Sequence, residues 1–295
     1  MDKIAGVVGL GIMGGAMAKN LLEAGFKVYG FDVSEEAKAR FVERGGELCG
    51  SPGAVADKAD VVILSLPSVA ALDEVTSGQS GLPTSSNKNL VAVEMSTMPV
   101  EAKQRAHDSL KAVGQTLLDC PVSGTGAQAW NKDLVVLGSG EEAAFKKCQA
   151  VFEGMSRKQF YIGPFSAGSK MKFLANLLVS IHNVAAAEAF ALGQKAGLSA
   201  DVIFDVLQDS AGTSRMFQIR GPQMVADDYT NVTATVKTHL KDLDIITDFA
   251  ANNQVSAPVY QAAAQYYYAA YAMGRDMEDT ASVCAVAEAM AGVKR

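Results

Sequence analysis

Through the first half of the chain, short runs of apolar and β-branched residues recur at intervals filled by helix-length stretches. The runs at 4–8, 27–31, 61–66, 90–95, 116–120, 134–137 and 160–162 are predicted as strands. Val61-Val62-Ile63-Leu64 and Val7-Val8 are apolar without alternation, as strands covered on both faces must be. Strands separated by helices imply a mostly parallel sheet with helices on both faces. After Gly163-Pro164 the texture changes to long stretches rich in Ala, Leu and Val, punctuated by Gly197, Gly212, Gly221-Pro222 and Gly274, with no strand pattern. The expected organisation is an α/β domain over 1–163 and an all-helical domain over 164–295. The stretch 172–195 is apolar around most of its circumference, so a helix there needs partners on every side. A homodimer or homotetramer is the expected source of some of them.

Composition agrees with this division and narrows the class. At 295 residues the chain exceeds the size at which one hydrophobic core keeps growing. With 49% hydrophobic and 20% charged residues, it reads as a well-packed globular protein rather than a disordered one. A net charge of −6 offers no broad basic face, so neither nucleic acid nor a membrane surface is an expected partner. Cys49, Cys120, Cys148 and Cys284 form no C-x-x-C, and the three histidines are not paired at ligand spacing, so neither a disulfide framework nor a metal site is readable. Two apolar segments invite a membrane or export reading. Residues 4–18 carry five glycines in a loop pattern and run into Lys19, Asn20 and Glu23, which reads as a loop rather than an export signal. Residues 173–191 contain Asn176, Ser180, His182, Asn183 and Glu188, which reads as a buried core helix. A cytoplasmic location is expected.

Candidate chemistry begins at Gly9-Leu10-Gly11-Ile12-Met13-Gly14, which follows the first predicted strand and opens a helix over 13–24. A lone G-x-G-x-x-G is weak evidence. Here a strand precedes it, a helix and second strand follow, and Asp32 closes that strand 23 residues past Gly9. Together these make a dinucleotide-binding fingerprint on a Rossmann-type doubly wound sheet. Gly9 permits the tight turn, Gly11 lets the backbone approach a pyrophosphate, and Gly14 lets the helix pack on the strand. The N–H groups at the helix start, around Ile12 and Met13, face the phosphates. Asp32 is placed to accept hydrogen bonds from ribose hydroxyls and to repel a 2′-phosphate, while Val33 and Ser34 supply no arginine, so NAD is expected rather than NADP. Leu66-Pro67 and Ser96-Thr97 fall at carboxyl ends of later strands, where ligands of such sheets bind. Ser96 or Thr97, ahead of Pro99, is equally placed to cap the next helix.

Five motifs in one order give the sequence a resemblance to the β-hydroxyacid dehydrogenase family over essentially its whole length. They are the glycine loop continuing to Met17-Ala18-Lys19-Asn20-Leu21, Ser96-Thr97 with Pro99, Asp119-Cys120-Pro121-Val122-Ser123-Gly124, Gly168 through Lys172 to Asn176, and Lys241-Asp242-Leu243. The resemblance implies that Lys172 is the catalytic general acid/base. Asn176, four residues on and on the same helix face, would bind substrate or orient the lysine. It further implies that Ser123 and Gly124, with Thr125, grip the substrate carboxylate, and that Lys241 and Asp242 close over the cofactor side. The chemistry is coherent, because oxidising a hydroxy acid needs a group to take the hydroxyl proton as hydride leaves for nicotinamide, and a lysine partly withdrawn from water releases its own proton more readily. Without the resemblance, Lys172 reads as a snorkelling surface lysine, Ser123-Gly124 as an ordinary turn, and Lys241-Asp242 as a solvated pair. His182, ten residues past Lys172, is either a core histidine or a cleft residue, and His239 stands two residues before Lys241.

The chain departs from the family pattern in its substrate loop. Thr125 and Lys132 stand where glycines are usual, and Trp130 stands where small residues are common. Lys132 means either that the turn no longer needs a positive φ or that it is strained. In the second half Leu177-Leu178, His182, the run 185–189 and Gly212-Thr213-Ser214 resemble the L-threonate dehydrogenase branch, which implies a four-carbon sugar acid as substrate. The segment 212–220 would then supply polar groups for the extra hydroxyls. A 3-hydroxyisobutyrate dehydrogenase, a tartronate semialdehyde reductase and a non-catalytic NAD-binding protein are the alternatives. Lys172 and Asn176 argue against the last.

Overall fold

The computed structural model describes residues 3–295 and divides into two compact units, the first ending at Lys172 and the second Phe173–Arg295. In the first, the apolar runs form β1 (Ile4–Val8), β2 (Lys27–Phe31), β3 (Glu47–Leu48), β4 (Val61–Leu64), β5 (Val91–Glu94), β6 (Thr116–Asp119), β7 (Val122–Ser123), β8 (Val135–Ser139) and β9 (Lys158–Gly163). The two shortest, β3 and β7, carry too few residues to show a pattern in the sequence. The strands make one sheet in the order β3-β2-β1-β4-β5-β6-β8-β7, with β9 against β8. Pairing is parallel from β3 to β6, and β8 runs antiparallel to both β6 and β7. The expected mostly parallel, doubly wound sheet is therefore present, with a reversal near one edge.

Side-chain alternation sends each strand's residues to two separate cores. Val7, Ile63, Val93 and Leu118 pack on one face with Ala16, Met17 and Leu21 of the Ile12–Glu23 helix. Val8, Val62, Leu64 and Ala92 pack on the other with Leu72, Ala106 and Leu110. Burial on both faces accounts for the unbroken apolar runs. The chain order reverses between β1 and β4, so helices leave to opposite faces there and a crevice opens at the carboxyl ends of these strands. Register aligns those ends: Val8 lies opposite Phe31 and Leu64, Leu64 opposite Glu94, and Glu94 opposite Asp119.

The helix Ala167–Lys195 is continuous from the end of the first unit into the second. It is long and apolar enough to cross a membrane, yet Asn176, Ser180 and Asn183 are buried and hydrogen-bonded within the second unit. That unit is otherwise built of the helices Ala200–Leu207, Arg215–Ala226, Val236–Asn252, Pro258–Ala272 and Val283–Ala291. Phe217 stacks with both Phe190 and Phe204, and Tyr260 and Tyr267 are buried. Gly197 and Gly274 end helices with positive φ, as their positions suggest. Gly221-Pro222 does not punctuate: the helix Arg215–Ala226 runs through it. Gly221 is there for contact, since a Cβ would stand 2.4 Å from the Phe204 ring.

Candidate active site

The glycine loop is closed against the sheet at two points and open at a third. Gly9 has φ +89°, and a Cβ there would lie 2.1 Å from the Ser65 carbonyl oxygen. A Cβ on Gly14 would lie 1.8 Å from the Gly9 oxygen. At Gly11, the N-cap of the Ile12–Glu23 helix, a Cβ would meet nothing within 4 Å, and no side chain caps the helix. The first N–H groups of a helix lack intrahelical partners, so this open side could hold an anion that approaches the backbone closely, as a dinucleotide pyrophosphate would.

Asp32 is fixed beside the glycine loop. One carboxylate oxygen accepts the Leu10 N–H at 2.5 Å and the other the Ser34 N–H at 2.8 Å, leaving a second acceptor site on each oxygen for ribose hydroxyls. A cavity of about 330 Å³ adjoins the loop, lined in part by Leu10, Gly11, Ile12, Arg40, Arg44 and Trp130. Arg44 lies over the Trp130 ring at 4.8 Å, and Arg40 is paired with Glu36. Both arginines come from the end of the helix Glu35–Glu43 rather than from the residues just after Asp32, which is why a search of the strand end alone missed them.

The strand-end loops are tied together. Ser96 Oγ accepts the Leu66 N–H at 2.8 Å, and the Ser96 N–H donates to Glu94 at 2.9 Å. The helix Val100–Ala112 has Pro99 as its N-cap with no side-chain bond, so Ser96 joins two loops instead of capping. Ser123 ends β7, and Gly124 follows with φ +140° and Leu134 2.6 Å from a notional Cβ. Thr125 is the N-cap of the helix Gly126–Trp130 in a capping box with Gln128, so its hydroxyl already accepts a backbone N–H. This short helix sits on the glycine-loop helix: Asn20 donates to Ala129 O at 2.7 Å and Lys19 to Trp130 O at 3.2 Å. Lys132 has φ +59°, so of the two readings of that substitution the strained turn is the one realised.

Beneath these loops lies a polar network that sequence reading did not find. Lys103, Glu94 and Asp119 are each fully buried. Lys103 Nζ lies 2.6 Å from Glu94 Oε2 and 2.8 Å from Asp119 Oδ1. Burial by itself would lower the lysine pKa, but the Asp119 and Glu94 charges outweigh it and hold the ammonium above its ordinary value. Asp119 also accepts the Ser169 N–H and Ser169 hydroxyl, both at 2.8 Å, in the first turn of the Ala167–Lys195 helix. Ser139 Oγ accepts the neighbouring Gly168 N–H at 2.9 Å. Only the acidic residues closing two apolar strands, Glu94 and Asp119, hinted at this in the sequence.

Lys172 follows one turn after Ser169, and Asn176 one turn later on the same helix. Within the second unit Asn176 Nδ2 donates to Asp242 at 2.9 Å, and Lys241 pairs with Asp242 at 3.3 Å. Ser180 Oγ donates to the Asn176 carbonyl oxygen and shares a 2.9 Å bond with His239 Nε2. His239 is thus part of a buried helix–helix seam, while His182 is half-buried. In the segment 212–220, Ser214 caps a helix and Arg220 is committed to Asp279. The Thr213 hydroxyl is enclosed with no protein hydrogen-bond partner. The four cysteines are unpaired; burial pushes Cys148 and Cys284 up to about 12 and Cys120 well above the ordinary thiol value, which disfavours the thiolate at all three.

Residues 4–163 match the family described as the NAD binding domain of 6-phosphogluconate dehydrogenase. Residues 166–287 match the one described as NAD-binding of NADP-dependent 3-hydroxyisobutyrate dehydrogenase. An L-threonate dehydrogenase of Cupriavidus necator is 34% identical over 96% of this chain and 95% of its own length. A glyoxylate/succinic semialdehyde reductase of Arabidopsis thaliana is 31% identical over 95% of this chain and 97% of its own. A crystal structure of 3-hydroxyisobutyrate dehydrogenase from Salmonella typhimurium superposes with a TM-score of 0.85 at 30% identity, covering 97% of this chain and 100% of that one.

Proposed function

Because the chain belongs to the β-hydroxyacid dehydrogenase family, we propose that it oxidises a small hydroxy acid with NAD, and that the substrate is a four-carbon sugar acid of the L-threonate kind. The observation that carries the reading is that the turn preceding Lys172 is fastened, through Ser169 and Asp119, to the same sheet whose strand ends bear the glycine loop. A proton acceptor and a hydride acceptor are thereby referred to one rigid frame.

In this reading Gly9, Gly11, Ile12, Met13 and Gly14 hold the pyrophosphate, Asp32 the adenosine ribose, and Leu66, Pro67 and Thr97 the nicotinamide half. Bound NAD would supply the hydride acceptor. Ser123 and Gly124 take the substrate carboxylate, while Thr125 fixes the loop as a helix cap. Lys172, in its deprotonated amine form, takes the hydroxyl proton; in reduction its ammonium polarises the carbonyl oxygen and returns that proton. Asn176, which donates to Asp242, is assigned to bind the substrate or orient the lysine. The unpartnered Thr213 hydroxyl is the group we assign to a further substrate hydroxyl. The L-threonate preference is supported by the likeness to the Cupriavidus necator enzyme.

Arg40 and Arg44 beside the glycine loop leave NADP as a second cofactor, in line with the family matched by residues 166–287. We assign 1–163 to cofactor binding and 164–295 to substrate binding and dimerisation in a cytoplasmic enzyme. The exposed Leu174, Leu178 and Leu192 on the long helix support a homo-oligomer. The test is NAD reduction at 340 nm with L-threonate, D-glycerate and 3-hydroxyisobutyrate, wild type beside Lys172→Ala. Turnover of L-threonate that falls by about a hundredfold or more in the variant, with NADH binding retained, is expected; equal turnover in both proteins removes Lys172 from the chemistry.

A further inference from the structure

We propose that the buried Glu94–Lys103–Asp119 triad is a positioning device that holds Lys172 in register with the cofactor loops. The inference rests on the reading of Lys172 as the proton-transfer group and adds residues that lie one layer behind it.

The connection is continuous. The Leu66 N–H is held by Ser96, the Ser96 N–H by Glu94, Glu94 by Lys103, Lys103 by Asp119, and Asp119 by the backbone and hydroxyl of Ser169. One end is a strand-end loop assigned to the nicotinamide; the other is the helix turn before Lys172. Glu94 and Asp119 are register partners at the ends of adjacent parallel strands, so their carboxylates stand side by side and would repel. The single ammonium between them turns that repulsion into a clamp. Asp119 collects Lys103 Nζ, the Ser169 N–H and the Ser169 hydroxyl, all at 2.8 Å, which fixes both the height and the rotation of the helix's first turn.

Close packing leaves that turn no slack. A Cβ at Gly168 would lie 2.3 Å from the Leu137 oxygen and 2.6 Å from the Asp119 oxygen, so the helix backbone rests directly on the strand ends. Packing of this kind resists translation, whereas the directional bonds of Asp119 resist rotation about the helix axis. Rotation is the motion that would swing Lys172, one turn further on, away from a substrate oxygen.

Ser169→Ala removes one of the Asp119 bonds at little cost to folding. Asp119→Asn removes the charge, and Lys103→Met removes the clamp. Arg105→Gln, an exposed change on the Lys103 helix, is the control. We expect kcat to fall between about tenfold and a hundredfold in Ser169→Ala and Asp119→Asn, with KM for NAD within about twofold of wild type and the control unchanged, in line with the cost of a small misplacement of a reacting group. A kcat for Ser169→Ala and Asp119→Asn within about twofold of wild type overturns the proposal, as does a fall in kcat matched by a rise in the NAD KM, because that marks general loosening. A second readout needs no substrate: the rate of reductive methylation of Lys172 in the resting protein, mapped by mass spectrometry and referred to exposed Lys170. A change of about threefold or more in that ratio in Ser169→Ala supports the positioning even if wild type oxidises none of the acids, in which case the activity reading alone falls. An unchanged ratio overturns the positioning whatever the activity.

Discussion

Substituting alanine at two glycines of the same loop separates folding from cofactor binding. At Gly14 the added methyl would lie 1.8 Å from the Gly9 oxygen, 3.0 Å from the Gly9 carbonyl carbon and 3.1 Å from Ser65 Cβ. Ordinary contact with a carbonyl oxygen is more than 1 Å longer, and the obstructing atom is backbone, so helix and strand must part. Overpacking of this severity costs about 3 kcal/mol or more. At Gly11 the methyl meets nothing within 4 Å, and φ is negative, −64°, on an extended backbone. Alanine is a poorer N-cap than glycine by a few tenths to ~1 kcal/mol, while the reduced freedom of the unfolded chain returns ~0.4–1 kcal/mol, so the net change is close to zero. The space it fills is where the pyrophosphate would sit. Losing one or two charge-assisted bonds there costs ~1.5–3 kcal/mol each, a weakening of at least about tenfold in Kd. Thermal melting and NADH fluorescence titration read both effects. Gly11→Ala should melt within about 3 °C of wild type and bind NADH poorly, and Gly14→Ala should melt far lower. Wild-type affinity in a folded Gly11→Ala protein would refute the assignment of the glycine loop to the pyrophosphate.

Two further outcomes concern stability. Lys132→Gly relieves a left-handed backbone and should raise stability by ~0.5–1 kcal/mol, seen as a higher urea midpoint with unchanged slope; a lower midpoint would show that the lysine side chain stabilises the turn. Alkaline pH should destabilise the fold. Buried Cys148, Cys284 and Tyr267 are pushed up to about 12, and Lys103 is raised by its carboxylate partners. Each group keeps its proton in the folded state after the unfolded chain has released it. Their contribution is therefore complete below about pH 9 and lost as pH rises toward 12, which a Tm falling steadily from pH 9 upward in differential scanning fluorimetry would register; a flat Tm over that range would contradict it.

The sequence by itself determined the alternation of strands and helices, the change of texture after Gly163, the glycine loop with Asp32, and the motifs around Ser123, Lys172 and Lys241. Each of these is local: a periodicity, a spacing, or a run of residues whose conformational needs are written side by side. It could not show that Pro222 lies within a helix, because Gly221 answers to the Phe204 ring seventeen positions away. Nor could it show that Thr125 caps a helix only five residues long, or that Arg40 and Arg44 return to the glycine loop. The Lys103 triad belonged wholly to the tertiary structure. Glu94, Lys103 and Asp119 look like unrelated charges along the chain, and only parallel register places the two carboxylates side by side while the intervening helix brings the ammonium between them. Burial then makes the pairing obligatory, since no single one of these charges is tolerated in the core without the others.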